Sequence, residues 1–150
     1  MTSFTPQMAT EFVHQAVPAI GRLGVVVEAI TPGAVDLRVP IEGNANHFGA
    51  MYAGAMFAVA ELPGGLIPLS VLPPGEYTPI LTAFEIQFVA PARTDVVLSA
   101  RMDLDHLRAL RDQVDAHGQA NFTLELLGQD AHGRTVLTSR AHYQLRPARD

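Results

Sequence analysis

A chain of 150 residues that is 48% hydrophobic and 17% charged has enough apolar material for one packed domain. That composition excludes disorder, which needs low hydrophobicity and high charge. The net charge of −5, with ten scattered arginines and no lysine, disfavours a nucleic-acid surface, which wants a basic stripe. Without cysteine there is no disulfide frame and no thiolate for metal, redox or nucleophilic work. Met1-Thr2-Ser3-Phe4 has neither a basic n-region nor an apolar h-region, so a cytoplasmic protein is expected.

In chain order, Thr5 to Ile20 predicts one helix, with Met8, Phe12, Val13, Ala16 and Val17 at three- and four-residue spacings. Gly21 and Gly24 are its stops. Gly24 to Ile30 and Val35 to Ile41 predict a hairpin across Thr31-Pro32-Gly33-Ala34. A polar loop follows from Glu42 to Met51, and a buried helix begins near Tyr52, disturbed at Pro63. Ile80 to Val89 predicts a strand with Thr82, Phe84, Ile86 and Phe88 on one side. Val96 to Met102 is another strand, Leu104 to Ala116 a helix stopped by Gly118, and Asn121 to Leu127 with Thr135 to Leu145 a last hairpin. No repeat or linker divides the chain, so residues 1–150 read as a single domain.

Between Glu42 and Glu76 the only Asp, Glu, Lys or Arg is Glu61. The apolar run from Ala50 to Leu72 is long enough to raise a membrane span, yet it holds Pro63, Gly64, Gly65, Pro68 and an acid near its middle. A helix buried inside a domain is the better reading, apolar all round because protein surrounds it. Such a helix needs a sheet that curves around it, since a flat sheet covers one face only. The expected class is therefore α+β, with six antiparallel strands wrapped on one helix.

Asn46-His47-Phe48-Gly49-Ala50-Met51-Tyr52-Ala53-Gly54-Ala55, followed by Glu61, resembles the active-site segment of hotdog-fold thioesterases of the phenylacetic-acid-degradation type. The likeness is nearest to a poorly characterised subgroup of that fold. Phe88-Val89-Ala90-Pro91-Ala92-Arg93 is similar to the family's strand end, and Tyr143-Gln144-Leu145-Arg146 closes the last hairpin as family members do. The family's His at the helix start is Tyr52 here, and its next Gly is Ala53. Some relatives carry a Ser or Thr on the strand facing the acid, a position that falls on Leu81 here, with Thr82 on the opposite face. The resemblance implies a hotdog fold, acyl-CoA hydrolysis with coenzyme A as part of the substrate, and a site shared across a homodimer or homotetramer. No metal or separate cofactor is expected.

The residues themselves support that chemistry. A thioester hydrolase needs donors for the carbonyl oxygen and a base or nucleophile on the other side of the carbon. Backbone N–H groups of Ala53 and Gly54, at a helix start, are the candidate donors. Glu61, in apolar surroundings, is the candidate base or nucleophile, and Asn46 the candidate for orienting water or thioester. Tyr52 is placed at the helix start with a substrate contact, and Arg93 against coenzyme A phosphates. Ala53 and Glu61 lie eight residues apart, about 12 Å along a helix axis, so one subunit cannot close both around a single carbonyl. A two-fold interface is required.

His47 opens a second reading. It precedes Glu61 by fourteen residues and is followed by Phe48, the spacing seen in β-hydroxyacyl dehydratases of the same fold. A hydroxyacyl-thioester hydratase or dehydratase using His47 and Glu61, and a non-catalytic acyl-binding protein, therefore stand beside the hydrolase. His14, His106, His117, His132 and His142 have no metal-site spacing and read as surface residues. Met8, Met51, Met56 and Phe57 read as core or tunnel lining.

Overall fold

The computed structural model describes residues 4–149. α1 (Pro6–Ala16) opens on Thr5, whose hydroxyl accepts the Met8 N–H, with Pro6 at the first helical position where its missing donor costs nothing. The expected helix over Thr5 to Ile20 is in fact two. Pro18 has no N–H to continue the ladder, so α1 stops at Val17 and α2 (Pro18–Leu23) starts afresh, running through Gly21 to Gly24. His14 Nε2 lies 2.7 Å from the Val25 carbonyl, and Thr10 Oγ1 accepts the Val27 N–H at 2.9 Å, which pins α1 to the first strand.

β1 (Val26–Thr31) and β2 (Ala34–Val39) form the expected hairpin, and α3 (Ala53–Glu61) and α4 (Pro63–Leu69) form the apolar helix broken at the proline. β3 (Tyr77–Phe88), β4 (Val96–Arg101), α5 (Leu104–His117), β5 (Ala120–Gln129) and β6 (Thr135–Pro147) complete the chain. All five pairings are antiparallel, in the order β1-β2-β4-β5-β6-β3, so β3 is an edge strand bonded to β6 alone. α3 touches β2 and β4 in one half of the sheet and β6 and β3 in the other, so the sheet curves around it. Met56, Val59 and Leu66 are 4%, 0% and 2% exposed, as expected for a helix enclosed by the sheet. Among the described residues no helix is long and apolar enough to cross a membrane.

One strand departs from its expected phase. β3 carries a bulge between Leu81 and Ala83, so the alternation slips at Thr82. Leu81 pairs with Tyr143, and Phe84, Ile86 and Phe88 pair with Ala141, Ser139 and Leu137, all inward-facing positions of β6. Thr82 is exposed instead, its hydroxyl donating to the His142 carbonyl at 3.1 Å. The inner face of β3 therefore reads Leu81, Phe84, Ile86 and Phe88. Met51 and Met56 are buried as expected, whereas Met8 and Phe57 are 43% and 40% exposed.

Candidate active site

The loop before α3 is closed by two asparagines. Asn44, buried, donates its amide to the carbonyls of Leu23 and Pro40, while its own carbonyl accepts the Tyr52 N–H at 2.7 Å. Asn46 Oδ1 accepts the N–H groups of Phe48 and Ala50 at 2.9 and 3.2 Å, an Asx turn that folds the loop on itself. This has a chemical consequence. The acceptor end of the side chain is spent on the backbone, and only the Nδ2 donor is left without a partner among the described residues. Asn46 can therefore bind a carbonyl oxygen or hold a water by its lone pair, but it cannot take a proton.

α3 starts without a side-chain cap. Ala55 and Met56 donate to the Tyr52 carbonyl, and the N–H groups of Ala53 and Gly54 have no partner among the described residues. They are the donors expected at a helix start, where the dipole is positive. A side chain at Gly54 would lie 2.4 Å from the Tyr52 ring, so Gly54 is small because that ring lies across it. Tyr52 is itself 57% exposed.

Two hollows meet at this loop. One, of about 620 Å³, is lined by Asn46, Phe48, Met51, Ala53, Met56, Phe88, Val89 and Arg93 among others. The second, of about 720 Å³, lies between α2 and α3 and reaches Asn46, Tyr52 and Gly54. The structure thus brings Asn46, Ala53 and Arg93 together on one side and Asn46, Tyr52 and Gly54 on the other. Arg93 Nη1 donates to the Phe48 carbonyl at 2.9 Å, which fixes its guanidinium against the loop. His47 lines neither hollow. It is exposed, its ring 3.9 Å from that of Phe48.

Glu61 also lines neither hollow. It ends α3, half-buried, and burial alone raises its carboxyl above the ordinary value of 4.5. Its carboxylate has no hydrogen-bond partner among the described residues. Its backbone, by contrast, is gripped. Gly65 donates to Leu62 rather than to Glu61, so the tightened turn between α3 and α4 leaves the Glu61 carbonyl without a helical donor. The Tyr143 hydroxyl supplies one at 2.6 Å. A Cβ on Gly64 would fall 2.0 Å from the Tyr143 ring. Burial and the nearby Glu61 charge both push the Tyr143 phenol up, so it stays a donor.

Tyr143 was not singled out from the sequence beyond its place in the last hairpin. The signals were present: a tyrosine on the inward face of β6, whose buried hydroxyl needs a partner, and a glycine inside an apolar helix. Nothing local joins them, because 82 residues separate Tyr143 from Glu61. Asn44 was missed as well; its bond to the Leu23 carbonyl spans 21 residues.

An apolar helix wrapped by six antiparallel strands, with an open helix start and one unpaired acid on that helix, defines a thioesterase-like hotdog protein. The chain belongs to the DUF4442 family, a domain of unknown function whose model matches residues 5–145. It is similar to a Pseudomonas aeruginosa protein of unknown function described as a "probable thioesterase", with 38% identity, 94% of this chain and 95% of that one covered, and a TM-score of 0.87. A thioesterase from Haemophilus influenzae shares the fold at 16% identity, with 99% and 95% covered and a TM-score of 0.76. A protein of unknown function from Chlorobaculum tepidum does so at 16% identity, with 97% and 99% covered and a TM-score of 0.82. No curated protein matches the chain.

Proposed function

We propose that this protein hydrolyses an acyl-CoA thioester to the free acid and coenzyme A, with a site plan of the phenylacetic-acid-degradation type shared across a homodimer. The observation that carries the reading is the hollow lined by both Asn46 and Ala53, whose N–H has no partner among the described residues. The carbonyl oxygen of the thioester accepts from the α3 start and from Asn46 Nδ2, which stabilises the negative charge that develops there. Glu61 of the partner subunit takes a proton from water as the new C–O bond forms. The C–S bond then breaks, and the proton passes to the departing thiolate. Direct attack by the carboxylate is the alternative use of the same residue.

Helix length requires the second subunit, and the edge strand offers a way to recruit it. β3 runs for 12 residues with one side unpaired and with Ile80 and Phe88 more than 40% exposed, a template for a second copy. A dimer joined there sets two α3 helices side by side, and two dimers pairing again give a tetramer. Tyr52, Gly54 and Arg93 contact substrate in this reading, and His47 flanks its entrance. A dehydratase would need His47 beside the reacting carbon, and its exposure outside both hollows favours hydrolysis instead. The test is a panel of acyl-CoA thioesters of graded chain length, followed by free-thiol release. Turnover of at least one supports the hydrolase, and inertness toward all of them favours an acyl-binding protein.

A further inference from the structure

Where the β5–β6 turn meets the end of β3, two arginines share one hollow of about 380 Å³, lined by Arg93, Thr94, Asp130, His132 and Arg134. The turn is built before any ligand arrives. Asp130 Oδ1 accepts the N–H groups of His132 and Arg134, each at 2.9 Å, and Thr94 Oγ1 accepts the Ala131 N–H at 2.8 Å. Arg134 Nη2 donates to the Pro91 carbonyl at 2.9 Å, and its Nε lies 3.4 Å from Asp130 Oδ2. Arg93 is tethered to the Phe48 carbonyl. Both guanidinium groups are thus held in place by backbone carbonyls, with donors to spare.

The charges do not balance. The single carboxylate in the hollow, Asp130, is buried and already takes two backbone N–H groups and the Arg134 ion pair, and Arg93 has no carboxylate partner among the described residues. The hollow therefore holds one uncompensated positive charge, with the His132 ring as a further donor. Two anchored guanidiniums beside an unneutralised charge match a phosphate, which guanidinium grips with paired bonds. Arg93 also lines the hollow that holds Asn46 and the α3 start, with Pro91 between it and Arg134. A ligand can therefore run from the helix start, over Phe88 and Val89, to the arginine pair.

We propose that Arg93, Arg134 and His132 form a phosphate subsite for the pantetheine-bearing carrier of the thioester, an assignment that rests on the hydrolase reading for what occupies the neighbouring hollow. The shared chemistry is a phosphate at the far end of a pantetheine thiol, supplied either by coenzyme A or by the phosphopantetheine arm of a carrier protein.

Calorimetric titration of the full-length protein with coenzyme A, 4′-phosphopantetheine and pantetheine tests the subsite without turnover. Coenzyme A is expected to bind at least about tenfold tighter than pantetheine, a preference that Arg93→Gln reduces and Arg93→Gln/Arg134→Gln abolishes. Arg134→Lys, which keeps the charge and loses the fork, retains the turn and falls between. If 4′-phosphopantetheine matches coenzyme A, the subsite stands and reads a single phosphate, as on a carrier protein. If coenzyme A binds tighter, it stands and reads the nucleotide phosphates as well. Equal binding of coenzyme A and pantetheine, or an Arg93→Gln variant with the wild-type preference, overturns it. Binding through the arginines with no thioester hydrolysed removes the hydrolase reading alone. Hydrolysis of acyl-CoA with an unchanged KM in the double variant removes the subsite alone.

Discussion

The Tyr143 hydroxyl donates to the Glu61 carbonyl at 2.6 Å, from the last strand of the sheet to the last residue of the helix it encloses. The bond satisfies the carbonyl left free where Gly65 turns to Leu62, and it anchors the main chain of the one acid in an otherwise uncharged run. Tyr143→Phe removes the donor and leaves a buried carbonyl unsatisfied, at a cost of about 1–2 kcal/mol. Urea unfolding checks that loss. Because the hydroxyl holds the backbone that carries the carboxylate, kcat is expected to fall while KM stays within about twofold. Equal changes in both would limit Tyr143 to a structural role.

Gly64→Ala attacks the same contact from the other side. Its methyl would sit 2.0 Å from the Tyr143 ring, and that ring is buried and stacked on Phe122 with centroids 5.1 Å apart, so it has no room to retreat. A destabilisation of at least about 2 kcal/mol is expected, the scale of overpacking in a core. Gly65, with nothing near its notional Cβ, is the control: Gly65→Ala is expected to be neutral or stabilising.

Glu61 carries the proposed reaction. Glu61→Gln keeps the shape and removes the base, so kcat is expected to fall at least about a hundredfold while the fold survives. The pH dependence follows from the upward shift of its carboxyl. Below the ordinary value of 4.5 the group is protonated in folded and unfolded chains alike and contributes nothing. As pH rises from there, the unfolded chain ionises first, so the folded state loses stability until the raised value is passed. Above it the desolvation penalty is complete. Glu61→Gln is therefore expected to match the wild type in acid and exceed it in stability at neutral pH, as thermal melts across that range will show. A wild type that gains on the variant as pH rises would mean the carboxylate is paired.

Asn46 separates its two roles by isosteric exchange. Asn46→Asp keeps the acceptor that closes the loop through Phe48 and Ala50 and loses the Nδ2 donor. The fold is expected to hold and turnover to drop at least about tenfold, whereas Asn46→Ala is expected to lower stability as well. His47→Ala is expected to spare hydrolysis, and loss of all turnover there would move the reading to the dehydratase.

The composite site has its own test in mass. Light scattering at micromolar concentration is expected to give a multiple of the 16.1 kDa chain. A monomer would reject any mechanism that joins the α3 start to Glu61.

Much of this protein is written in local pattern. Alternation along Val35 to Ile41, helical spacing from Leu104 to Val114 and the breaker at Pro63 are properties of short windows, and they placed the strands, α5 and the break between α3 and α4. The lone acid of a 33-residue uncharged span, Glu61, was visible on charge alone, since charge is counted along the chain. Tertiary structure decided the rest. The bulge at Thr82 depends on register against β6, which moves Leu81 inward and Thr82 out. The smallness of Gly54 and Gly64 is explained only by the rings of Tyr52 and Tyr143 that lie over them. The Tyr143 hydroxyl on Glu61 and the arginine pair of Arg93 and Arg134 join residues 82 and 41 positions apart (143 − 61 and 134 − 93). Spacing along a chain reports which face a residue takes, and folding alone determines what that face meets.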